Sequence, residues 1–224
     1  MRAPRDGAYL IYDALLFLAG LLLLPWVGVR ALFSRDFRRA LPGRLGYAPD
    51  MPAAERRILI HGVSVGEVKA ARPLILALHA AHPECELVVC STTPSGRETA
   101  RRIFPELSVV TYPLALPRAC RRFLERVKPT SVIILELEIW PNFLRACNRL
   151  DVPVAIANGR ITERSMSGYL RVQRLLPQFD RIRMYGVQNE RYAERFPRIL
   201  CGSNPGNVGH LFVKETFIDE AAAP

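Results

Sequence analysis

Short, β-branched apolar runs separated by helix-length segments constrain this chain more than any other feature. Arg57–His61 (RILIH), Leu87–Cys90, Ser108–Tyr112, Ser131–Leu135 (SVIIL), Val152–Ala157 (VPVAIA) and Arg183–Val187 read as strands. Between them, Glu67–Ala81 carries Val68, Ala71, Leu74 and Leu78 at helical spacing. A further helix follows from the loop STTPSGRETARRIF, and Ala119–Val127, Pro141–Leu150 and Tyr169–Leu176 read as others. Strands that are continuously apolar are covered on both faces, and strands joined through helices run parallel. The expected fold is therefore α/β, a Rossmann-like doubly wound parallel sheet. Ligands of such sheets lie beyond the C-terminal strand ends, where GVSVGE, STTPSG, ELEIWPN and ANGRITERS gather.

Ahead of the strands, Ala14–Val29 (ALLFLAGLLLLPWVGV) is uncharged. The preceding AYLIY extends it across Asp13 to roughly twenty residues, about a bilayer's span. No small-residue cleavage site follows, which disfavours a signal peptide. Arg30, Arg35, Arg38, Arg39 and Arg44 outnumber Arg2 and Arg5 on the other flank, placing the bulk of the chain on the cytoplasmic side of a membrane anchor. A helix docked on the domain or lying in the membrane surface is the alternative. The expected division is an anchor over 1–33, a basic linker over 34–56, a Rossmann-like domain over 57–200 and a divergent tail over 201–224. A net charge of +10 suits an anionic partner. Nucleic acid is not expected, because the basic residues are not interleaved with aromatics. The five cysteines are scattered without a CxxC pair, so neither a disulfide framework nor a metal site is expected.

Three regions carry candidate chemistry. In GVSVGE, Gly62 and Gly66 permit close backbone approach, and the free amides of a helix start favour negative charge. The loop lacks both the GK[ST] ending of a P-loop and the GxGxxG pattern. Ser64 and Glu67 have the S-x-x-E spacing of a capping box, so Glu67 is either a capping residue or a catalytic carboxylate. His61 reads as a hydrogen-bonded structural histidine. Glu136 and Glu138, two apart on an extended chain, would share a face and point into the cleft, or else form ion pairs that organise neighbouring loops. Trp140 and Pro141 read as packing and helix-start residues. Arg97, Arg160 and Arg164, set among hydroxyl side chains, suit a phosphate or carboxylate ligand, with a solvated basic face as the other reading.

In order and approximate spacing, HGVSVGEVKAARPLI, STTPSGRETA, YPLALP, KPTSVIILELEIWPNFL and IANGRITERSMSGY resemble the N-terminal half of the Kdo transferases. These are membrane-anchored glycosyltransferases that move 3-deoxy-D-manno-octulosonic acid (Kdo) from CMP-Kdo onto a lipid A precursor. The resemblance implies the acceptor-binding half of a GT-B enzyme of lipopolysaccharide core biosynthesis, at the inner membrane with its bulk on the cytoplasmic face. Glu67 matches the family's catalytic carboxylate, the general base of an inverting transfer. Ser64, Gly66, Arg97, Glu136, Glu138, Asn158, Arg160 and Arg164 match positions expected to bind the acceptor. No metal and no cofactor are implied beyond the donor substrate CMP-Kdo. The tail ILCGSNPGNVGHLFVKETFIDEAAAP departs from the family pattern. The expectation is a donor domain that is missing or separately encoded, and an acceptor half inactive alone. A non-catalytic, membrane-anchored protein that binds anionic lipid or a partner is the alternative.

Overall fold

The computed structural model describes residues 6–136, 138–159, 176 and 181–187. Six strands, β1 Arg57–His61, β2 Glu86–Ser91, β3 Ser108–Thr111, β4 Ser131–Leu135, β5 Val154–Gly159 and β6 Met184–Val187, form one sheet in the order β3-β2-β1-β4-β5-β6. All five pairings are parallel. Alternate residues of each strand feed opposite cores. Leu59, Val88, Val132, Ile134, Val154 and Ile156 pack with Phe123 and Phe143 on one face. Ile58, Ile60, Val89, Ile133 and Ala155 pack with Ile75, Leu78 and Phe104 on the other. Burial on both faces is why these strands read as unbroken apolar text.

Helices α3 Val65–Ala70, α4 Arg72–Ala81 and α5 Pro94–Ile103 supply the second core, and α6 Pro117–Val127 and α7 Pro141–Arg149 the first. The periodicity over 67–81 predicts one helix, whereas the structure divides it at Ala71. Pro73, in the first turn of α4, has no amide to continue the ladder across the junction. The expected helix over 169–176 lies outside the described residues except for Leu176, which is buried.

The stretch 34–56, expected as a linker, is partly helical and packed into the domain. After α1 Asp6–Phe33, Ser34 caps α2 Arg35–Arg44 by accepting from the Phe37 amide at 3.2 Å. The Leu114 amide donates to the Arg44 carbonyl at 2.7 Å, and Arg44 Nη1 donates to the Tyr112 carbonyl at 2.8 Å. Farther along, Arg126 Nε donates to the carbonyl of buried Ala48 at 2.6 Å. Gly46 makes the turn at φ 89°, and a Cβ there would collide with the Ala119 carbonyl. These contacts end on backbone carbonyls and a glycine turn, which a charge count does not register.

Candidate functional site

Strand order reverses beside β1, whose chain successor β2 lies on one side and β4 on the other. A crevice therefore opens beyond the C-terminal ends of β1 and β4. The loops entering it are 62–64, before α3, and 136–140, before α7.

The first loop is held from within. Ser64, extended at φ −114°, ψ 167°, caps α3, and its Oγ accepts from the Glu67 amide at 3.3 Å. Glu67 reciprocates: Oε1 accepts from the Ser64 hydroxyl and Oε2 from the Val63 amide, both at 2.8 Å. The capping device read from S-x-x-E is thus present, with Val63 in place of the usual cap amide. Glu67 is half-buried and still reaches solvent, and each carboxylate oxygen keeps a further lone pair. The carbonyl of Val63 is clamped in turn by the hydroxyls of Ser91, at 3.0 Å, and Thr93, at 2.9 Å. Gly66 is exposed on the first turn of α3, and a Cβ there would approach Ser64 Oγ at 3.7 Å.

The second loop turns sharply. Glu136 adopts φ 58°, a left-handed conformation costly for a side chain of this kind, and its amide donates to the Ala157 carbonyl at 2.9 Å. The alternation argument that placed Glu136 and Glu138 on one face assumed an extended chain, which this turn interrupts. Glu138 is nonetheless half-buried, with Oε2 accepting from the Trp140 indole at 3.1 Å. Burial pushes its carboxyl above the usual carboxylate range; the indole hydrogen bond works the other way, and the charges of Glu67 and Glu136 add to the rise. Glu138 thus feels the charge of a carboxylate on each of the two loops at the switch point. Trp140 is a hydrogen-bond donor to this group as well as the residue preceding α7.

Other candidates sit differently. Arg97 is only 7 % exposed, and its Nη1 points at the carbonyls of Ser91, 3.4 Å, and Thr92, 3.0 Å. Burial, and then the charges of Arg101 and Arg44, lower its pKa. It braces the β2–α5 loop from beneath. Asn158 is exposed at the end of β5 with φ 59°, a conformation its side chain tolerates, where the β5–β6 register shifts. Arg160 and Arg164 lie outside the described residues.

His61, at the end of β1, is fully buried and stacks on Tyr112 with ring centroids 3.8 Å apart. Its Nδ1 lies 3.1 Å from the Cys90 carbonyl, which makes that nitrogen the protonated one. Burial brings its pKa down to about 3, against the raising effect of the Cys90 carbonyl and with the Arg44 charge lowering it further. It is a neutral, structural histidine. His82, Glu84 and Cys85 bring potential metal-ligand atoms within 4.8 Å of one another, but just before β2, at the N-terminal end of the strands and away from the crevice, where Arg56 lies 3.8 Å from Glu84.

Comparison with known proteins places the sequence. Residues 39–209 match the profile of a family described as 3-deoxy-D-manno-octulosonic-acid transferase (kdotransferase). The chain is 31% identical over 189 residues to 3-deoxy-D-manno-octulosonic acid transferase of Haemophilus influenzae, covering 83% of this chain and 44% of the relative. To the enzyme of that name from Chlamydia trachomatis it is 28% identical over 218 residues, covering 95% and 50%. The chain thus spans about half the length of the curated relatives it matches. Among solved structures, Acinetobacter baumannii MurG aligns with a TM-score of 0.43 and 13% identity, over 67% of this chain and 44% of that one.

Proposed function

The chain belongs to the 3-deoxy-D-manno-octulosonic-acid transferase family, and from that premise we propose that it is the acceptor-binding half of an inverting, GT-B Kdo transferase. The complete enzyme transfers Kdo from CMP-Kdo to a lipid A precursor in lipopolysaccharide core biosynthesis, at the cytoplasmic face of the inner membrane. The observation that carries this reading is that the connections bearing Glu67 and Glu138 leave the C-terminal ends of the adjacent parallel strands β1 and β4, at the switch point of the sheet.

In this proposal the acceptor sugar enters between the 62–64 and 136–140 loops. Glu67 takes the proton of the attacking hydroxyl as that oxygen forms its bond to the anomeric carbon of Kdo and CMP departs. The hydrogen bonds from Ser64 and Val63 fix which lone pairs face the crevice. Glu138 and Glu136 accept hydrogen bonds from acceptor hydroxyls, and Arg160 and Arg164 pair with its phosphates. Arg97 supports the site by holding the Ser91–Thr93 loop against Val63. CMP-Kdo is held by a second, donor-binding domain.

The experiment combines the purified chain with CMP-Kdo and a lipid A precursor, with and without a separately supplied donor-binding half. Transfer that requires both polypeptides is the expected result. Acceptor binding without transfer in the completed mixture would instead make this a non-catalytic lipid-binding protein, with Glu67 serving only as a cap.

A further inference from the structure

Helix α1 is apolar and exposed on all sides beyond its first turns. Leu15, Phe17, Leu22, Leu24, Trp26, Leu32 and Phe33 are each more than half open to solvent. A helix of this kind is not stable in water and needs an apolar surrounding. The question is how it meets that surrounding, and its two ends answer it.

Near the start, Asp13 is bound to the domain. Its Oδ1 accepts from Asn142 Nδ2 at 2.8 Å, and its Oδ2 pairs with Arg145 Nη1 at 3.0 Å. The Arg145 guanidinium also covers the ring of buried Tyr9 at 4.6 Å. Asn142 Nδ2 donates in addition to the Ala115 carbonyl at 2.9 Å. Beyond the other end, α2 returns to the same loop, where the Arg44 carbonyl accepts from Leu114 at 2.7 Å. The α1–α2 hairpin is therefore tied to one loop at both of its ends: through Asn142 to Ala115 at Asp13, and directly to Leu114 at Arg44.

Helical rise sets the reach of this hairpin. From Asp13 to Phe33, α1 runs about 30 Å, while the ten residues of α2 cover only about 15 Å. The hydrocarbon of a bilayer is about 30 Å thick. Were α1 to cross it, α2 would have to climb back with Arg35, Asp36, Arg38 and Arg39 inside, and its length would bring it only halfway. The two helices are also joined near the tip: Trp26 meets Phe37 edge-on at 6.0 Å, and Arg38 Nη1 donates to the carbonyls of Ala31 and Leu32 at 2.5 and 3.0 Å.

We infer that α1 does not span the bilayer but lies along one leaflet, submerged between Ala14 and Val29, with both ends at the headgroups on the side of the domain. The inference rests on the membrane association proposed above and adds its geometry. Arg30, Arg35, Arg38 and Arg39 lie at the level of anionic headgroups. Asp13 is the polar stop at the other end, held off the lipid by Asn142 and Arg145. Because Asn142 and Arg145 belong to α7, the leaflet is set at a fixed height relative to the 136–140 loop.

Sidedness tests this directly. Gly7 faces open space, and Asp36 is exposed on the first turn of α2, so each accepts a cysteine. Cys85, Cys90, Cys120 and Cys147 are buried and have raised thiol pKa values, and Cys201→Ser removes the fifth cysteine. The Gly7→Cys and Asp36→Cys chains, expressed in membranes, are labelled with a membrane-impermeant maleimide in inside-out vesicles and in intact spheroplasts. Both positions labelled in inside-out vesicles and neither in spheroplasts is the expected result. Labelling of the two from opposite sides, or protection of both from either side, overturns the inference. Recovery of the chain as a soluble oligomer also overturns it and assigns the apolar face to a second copy. Since the readout involves no transfer, it stands or falls separately from the proposed activity.

Discussion

At the level of single residues, carboxylates and imidazoles in this cleft are sorted by burial. Glu67 and Glu138 are both half-buried, Glu67 hydrogen-bonded within its own loop and Glu138 beside like charges, whereas His61 is sealed beneath the sheet's end. His61 makes a prediction about acid stability. Folded, it takes up a proton only near pH 3; unfolded, it does so near its ordinary 6.5. Between those values the unfolded chain carries the extra proton, so stability rises with pH through this window and is lost as pH falls from 6.5 toward 3. Denaturant unfolding at a series of pH values should show that slope, and His61→Asn should be shallower by about one proton. An unchanged slope in the variant would show that His61 titrates alike in both states.

Among elements, the junction of α3, α5 and the β2–α5 loop governs where Glu67 stands. Gly96 is its tightest point: a Cβ there would collide with the Ser91 hydroxyl, lie 2.8 Å from Thr93 Oγ1 and 3.3 Å from the Val63 carbonyl. Both hydroxyls are the ones that clamp Val63. Gly96→Ala should therefore cost about 1–3 kcal/mol of stability, as overpacking does, and loosen the loop that presents Glu67. Thermal unfolding measures the first effect; a Tm equal to the parent's would mean the hydroxyls move aside freely. The strands and most helices were legible in the text because doubly covered strands and amphipathic helices leave periodic marks. The Gly96 contact, the positive φ of Glu136 and the docking of 34–56 were not, since each depends on elements distant in sequence meeting at one place. The Asp13 clamp has a faint trace, a lone acid within an apolar run, but its partners Asn142 and Arg145 are identified only by the packing of α7.

For the whole molecule, sheet topology, the apolar helix α1 and the carboxylate loops meet at the C-terminal end of the strands. The strand reversal opens the crevice beside β1 and β4, and the clamp on α7 sets α1 close to the same loop. Under the proposed function, a substrate with a sugar head and a lipid body would present its head to Glu67 while its chains stay in the leaflet. The capping role of Glu67 and the base role proposed for it fall on one side chain, and one substitution separates them. Glutamine at this position still completes a capping box but cannot accept a proton as a base. The decisive measurement is the CMP-Kdo-dependent transfer rate of the Glu67→Gln chain, completed with its donor-binding half, beside its Tm. A rate lower by about 10²–10⁴-fold at an essentially unchanged Tm is predicted; turnover at the parent rate would contradict the assignment of Glu67 as the base.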